Sequence, residues 1–75
     1  MYRDIAQACY EACEVGSVGF MRPDPALGEK VSDFGAVLIA AGIMQEDGRI
    51  LIQNIHHESE SGNKMVDMIK FYRLR

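Results

Sequence analysis

A chain of 75 residues with a formal net charge of −3 makes one small domain, and a fold of that size buries only about 60% of the surface its unfolded chain exposes. The core is therefore small, and stability is marginal unless a disulfide, a metal or a second subunit adds to it. The mild charge excludes a chain held open by self-repulsion and a mimic of nucleic-acid charge. Charge is uneven along the sequence, because Lys64, Lys70, Arg73 and Arg75 face only Asp67 near the C-terminus. An anion-facing surface, if there is one, is expected there.

Tyr2, Ile5, Ala6, Cys9, Ala12 and Cys13 recur at steps of three and four residues, with Asp4, Gln7, Glu11 and Glu14 facing away. This predicts an amphipathic helix from Tyr2 to Val15, stopped at Gly16. Within it Cys9 and Cys13 point in nearly parallel directions, where disulfide geometry is poor. They are expected to be free thiols, which suits a reducing, cytoplasmic compartment. "MYRDIAQ" places Arg3 and Asp4 where an export signal needs an unbroken apolar run. "GAVLIAAGIM", Gly35 to Met44, is far shorter than the roughly 20 residues that cross a bilayer. No membrane partner is expected.

"GSVGFMRPDP", with two glycines and two prolines, reads as a loop that Phe20 and Met21 pin to the core. Asp24 before Pro25 signals a helix start, since the Asp carboxylate caps free amides and proline loses nothing at the first helical position. Ser32 or Asp33 offers a second cap before Phe34, Val37, Leu38 and Ala41, with Gly42 as a stop. The segment reads as two short helices, or one helix bent near Gly28 to Ser32.

Asp47-Gly48 marks a tight turn before a β-branched run from Ile50 to Ile55. "KMVDMIKFYRL" has strand composition, although Met65, Met68, Ile69 and Tyr72 also fit one face of a helix. As a hairpin closed by Ser61, Gly62 and Asn63, it sets Glu60 against Lys64, His57 against Asp67, Ile55 against Ile69, Ile52 against Tyr72 and Ile50 against Leu74. A loop one residue shorter sets Glu58 against Asp67, a destabilising like-charge pair. The base of the hairpin is apolar on both faces, so one face packs on the helices and the other needs a partner or remains an exposed apolar patch.

Helices followed by "DFGAVLIAAGIMQEDGRILI" and a strand ending "FYRL" resemble the second half of a winged-helix domain, where an apolar helix runs through a corner into a β-hairpin wing. The resemblance covers about Pro25 to Leu74 and lies in element order and corner residues. It implies an α+β fold, winged-helix-like, with two or three helices followed by a C-terminal β-hairpin. It does not carry over DNA reading, because Phe34 to Ile43 has no polar side chain, whereas base edges are read by Arg, Lys, Asn or Gln. The basic terminal strand would give only weak, salt-sensitive binding to a nucleic-acid backbone.

"NIHHESESGN", Asn54 to Asn63, concentrates two histidines and two glutamates. Strand alternation sends His56 and His57 to opposite faces, so they do not chelate one ion, and no metal or cofactor is expected. Asp67 facing His57 would make the hairpin tip a pH-sensitive pair, since a carboxylate holds an imidazolium more firmly than a neutral ring. Cys9 with a histidine could supply a nucleophile and base, but a cysteine on the apolar side of a helix is ordinarily a small core residue. "GSVGF" lacks the lysine and following helix of a phosphate loop. An enzyme is not expected.

Phe71 and Tyr72, flanked by Lys70, Arg73 and Arg75, have the composition of an interface, an aromatic centre with a basic rim. The competing reading is that the aromatics complete the core and the charges are solvated. The small core favours an interface, most simply a symmetric homodimer. The expected function is a non-catalytic protein-interaction or regulatory module that self-associates, with a winged-helix-like nucleic-acid-binding regulator as the alternative.

Overall fold

In the computed structural model, which describes residues 4–59 and 62–75, the first helix, α1, spans Ile5–Ala12. Asp4 sets its start, the carboxylate accepting the Gln7 amide at 3.1 Å and satisfying one donor that the first turn leaves free. Tyr2, expected at the head of this helix, lies outside the described residues. α1 ends short of Val15, because the backbone is already extended at Cys13. Gly16 then turns the chain with φ of +82°, and its amide donates to the Arg73 carbonyl at 2.8 Å.

The expected loop after Gly16 contains a strand, β1, Val18–Met21. It pairs antiparallel with a strand near the other end of the chain, β3 (Val66–Arg73), Val18 opposite Tyr72 and Met21 opposite Ile69. Composition pointed to a loop because Gly19 is a poor strand residue by itself. Here its lack of a side chain is what the sheet requires: a Cβ at Gly19 would lie 2.6 Å from Phe71 Cζ.

Asp24 and Pro25 do begin a helical turn, with the Asp24 carboxylate accepting the Ala26 amide at 2.9 Å. It is a single 3-10 turn, Pro25–Leu27, closed by Gly28 in the left-handed conformation. A second 3-10 turn, Val31–Asp33, leads into α2, Gly35–Glu46. α2 continues through Gly42, the expected stop. Glycine ends a helix where φ is positive just beyond the last turn, and the residue that meets this condition is Gly48, with φ of +74°. The amides of Gly48 and Arg49 donate to the carbonyls of Gln45 and Met44, both at 3.0 Å, a Schellman cap.

β2, Ile50–His57, pairs antiparallel with β3, and the sheet order is β1-β3-β2. The chain is therefore α+β, but a strand stands between the helices and β3 is central. The expected C-terminal hairpin is part of a three-stranded sheet. Ile55 faces Ile69 as expected, whereas Ile50 faces Arg73 and Ile52 faces Phe71. Gln53 is an extra residue on β2 and Asp67 one on β3; the opposed bulges shift register by one step and then restore it. Glu60, expected to face Lys64, and Ser61, expected to open the loop, lie outside the described residues.

Phe34, Met21, Ile50, Ile69 and Phe71 are the largest fully buried side chains, joined by Ile5, Ala6, Cys13, Val37, Ala41 and Met44 in one core. The core lies between the helices and one face of the sheet. No helix among the described residues is long and apolar enough to cross a membrane.

Candidate functional site

The C-terminal strand was expected to present an aromatic patch with a basic rim, and the structure distributes those residues differently. Phe71 is fully buried, its ring beneath the Gly19 backbone, so it belongs to the core and offers nothing to a partner. Arg73 is turned inward over α1. Its guanidinium donates to the carbonyls of Tyr10 at 3.1 Å and Cys13 at 2.6 Å and lies 4.2 Å from the centre of the Tyr10 ring. The Tyr10 carbonyl already accepts the Cys13 amide at 3.2 Å, so Arg73 adds a second donor there and supplies one to the Cys13 carbonyl, a C-cap from a distant strand. Arg75 donates to the Asp47 carbonyl at 2.6 Å, and its own carbonyl accepts from the Tyr10 hydroxyl. The two arginines fasten the end of the chain to α1 and to the corner between α2 and β2.

Lys70 and Tyr72 stand on the other side of β3, because side chains alternate along a strand. Val18 and Leu51 flank Tyr72, and Phe20 and Asn54 flank Lys70, in cross-strand rows. Val18, Phe20, Leu51 and the nearby Leu74 are all exposed. The Arg22 guanidinium sits 5.3 Å from the Phe20 ring centre. The outer sheet face is thus apolar with scattered cations, the surface that two-sided apolar strands foretold, although its members come partly from β1.

At the far end of that face the expected histidine pair is shifted by one residue. Asp67, the bulged residue, meets His56 and not His57, with 2.6 Å between Oδ1 and Nδ1. The bulge is the reason: without it His57 would lie opposite Asp67, and with it His57 lies opposite Val66. The pair is largely exposed, where an ion pair contributes little.

A second surface comes from α2. Val37, Ala41 and Met44 are buried beneath it, but Ile39 is 69% and Ile43 52% exposed. With Gly35 and Ala36, both exposed, they form one apolar ridge at spacings of three and four residues. A Cβ built at Gly35 or Gly42 meets nothing within 4 Å. The apolar run was legible in the sequence; which of its residues would lack cover was not.

Cys9 and Cys13 are free thiols, and Cys13 is buried, its sulfur directed at the carbonyls of Glu14 and Ser17. Among the described residues no three His, Cys, Asp or Glu side chains gather in a way that could hold a metal ion. Comparison of the chain with family models, curated proteins and solved structures finds no match.

Proposed function

We infer that the protein is a small non-catalytic interaction or regulatory module that works as a homodimer, with the solvent side of α2 covered by a second copy. The observation that supports this is the mismatch between the composition of α2 and its exposure. The helix has no charged side chain before Glu46, and a helix apolar all round belongs in an interior. Its ridge nevertheless faces outward through Ile39 and Ile43. A second copy brings an identical ridge, and a two-fold contact between like surfaces is the commonest form of association. The free thiols suit a reducing, cytoplasmic setting. Sedimentation equilibrium between micromolar and high micromolar protein tests the reading: a mass rising to twice that of the chain supports it, and a monomer throughout overturns it.

A second reading keeps the resemblance to a winged-helix domain and makes the protein a nucleic-acid-binding regulator. It is favoured by element order, since the apolar α2 turns through Asp47-Gly48 into the β2–β3 pair. The outer sheet face also sets Phe20 and Tyr72 beside Lys70 and Arg22, and aromatic side chains among cations are what a single strand stacks on. Against it, Arg73 and Arg75 donate to protein carbonyls, which withdraws two cations from the basic strand that this reading relies on. Titration with a labelled single strand and a labelled duplex at two salt concentrations tests it; no binding at low salt removes it.

A further inference from the structure

We propose that two copies of the chain pair their α2 helices antiparallel about a two-fold axis at Ile39, with Gly35 of one helix against Gly42 of the other. The proposal rests on the homodimer reading and specifies its geometry. Gly35 and Gly42 are two helical turns apart and lie on the same side of the ridge, while Ala36 and Ile43 lie on its other side. Neither glycine is explained within one chain. Their helical positions do not use positive φ, no neighbour would obstruct a Cβ, and glycine within a helix is destabilising relative to alanine. What two such glycines permit is close approach of another backbone, at the short end of the range for packed helices.

The symmetry matches the sizes. A two-fold axis at Ile39, perpendicular to the plane of two antiparallel helices, reverses height and preserves side. It places Gly35 opposite the partner copy's glycine at position 42, on one side of the seam. On the other side it places Ala36 opposite the partner copy's isoleucine at position 43, a small residue against a large one. Ile39 meets its own equivalent at the axis. A parallel pair would instead set each glycine against itself and Ile43 against Ile43, crowding one level and leaving another empty.

Charge complementarity points the same way. Glu46 ends α2 on this face, and Lys30 precedes its N-terminus, both exposed. Antiparallel pairing brings Glu46 of one copy toward the positive N-terminal end of the other helix, which Lys30 precedes by way of the Val31–Asp33 turn. A parallel pair would set Glu46 against Glu46. α2 has 12 residues, about 18 Å of helix, so the contact falls below the roughly 1,200 Å² of standard interfaces and the dimer is a weak, reversible one.

Cysteine cross-linking in the full chain under mild oxidation tests the geometry, with the unsubstituted protein as the baseline for Cys9 and Cys13. I39C is expected to give covalent dimers, and the double variant A36C/I43C likewise. A36C alone and V15C, exposed elsewhere, are expected to stay at baseline. Gly42→Leu is expected to weaken dimerisation at least tenfold in sedimentation while the melting temperature at monomeric dilution does not fall, because a Cβ there meets nothing within 4 Å in one chain. Cross-linking of A36C alone overturns the antiparallel arrangement. A dimer that persists without I39C cross-links, or with Gly42→Leu unweakened, overturns the α2 seam and leaves the homodimer reading standing. A chain that is monomeric at every concentration overturns both.

Discussion

The backbone of Gly19 lies against the ring of Phe71, so closely that a Cβ at position 19 would stand 2.6 Å from Cζ and 3.1 Å from the Cys13 sulfur. The contact joins β1 to the central strand and to the end of α1. Gly19→Ala is therefore expected to destabilise the fold by about 1–3 kcal/mol, the usual cost of overpacking a filled core. In urea denaturation the midpoint falls, and adding Phe71→Leu recovers part of the loss. A neutral Gly19→Ala would mean that the sheet does not close over Phe71 in this way.

Arg73 separates a structural from an interfacial role for the C-terminal strand. Arg73→Ala removes the donors to the Tyr10 and Cys13 carbonyls and the stacking on Tyr10, an expected loss of about 2–3 kcal/mol for hydrogen bonds from a charged group. Arg73→Lys restores only part of it, because a lysine ammonium does not reproduce the planar fork. Denaturation measured at monomeric dilution decides the matter. A variant that lowers self-association and leaves monomer stability intact would return Arg73 to the interface.

Asp4 is expected to behave as a helix cap and no more. Asp4→Ala should cost about 1 kcal/mol, which for a domain of this size moves the melting temperature down by about 4–8 °C. Asp4→Asn, which keeps an acceptor oxygen, should recover most of that in the same thermal scan. Equal losses in the two variants would assign the effect to charge and not to the bond with the Gln7 amide.

The bulge at Asp67 makes a distinction between adjacent histidines. A double-mutant cycle on stability should give a coupling of about 1 kcal/mol or less between His56 and Asp67, the scale of an exposed polar contact. The cycle between His57 and Asp67 should give none. Coupling confined to His57 would restore the unbulged register.

The readable features were those whose cause is local. The amphipathic spacing of α1, the helical turn at Asp24-Pro25, the corner at Asp47-Gly48 and the β-branched run of β2 depend on residues within a few positions of one another, and each element is present. The pairing of Ile55 with Ile69 was accessible too, because a hairpin register follows from charges and apolar groups on neighbouring strands. One local signal misled. Gly42 looked like a stop, but only Gly48 holds the required φ.

By itself, then, the sequence determined a small α+β chain with an apolar α2 and a basic final strand. Only the tertiary structure decided how those resources are used, since strand pairing and packing join segments whose local preferences carry no record of each other. It made "VGFM" a strand by setting Gly19 on Phe71, turned Arg73 from a surface charge into the cap of α1, and gave Asp67 to His56 through a bulge. Phe71, Arg73 and Arg75 of "KFYRLR" are thereby committed to holding the fold together, and the apolar surface without cover in a single chain includes the α2 ridge at Ile39 and Ile43.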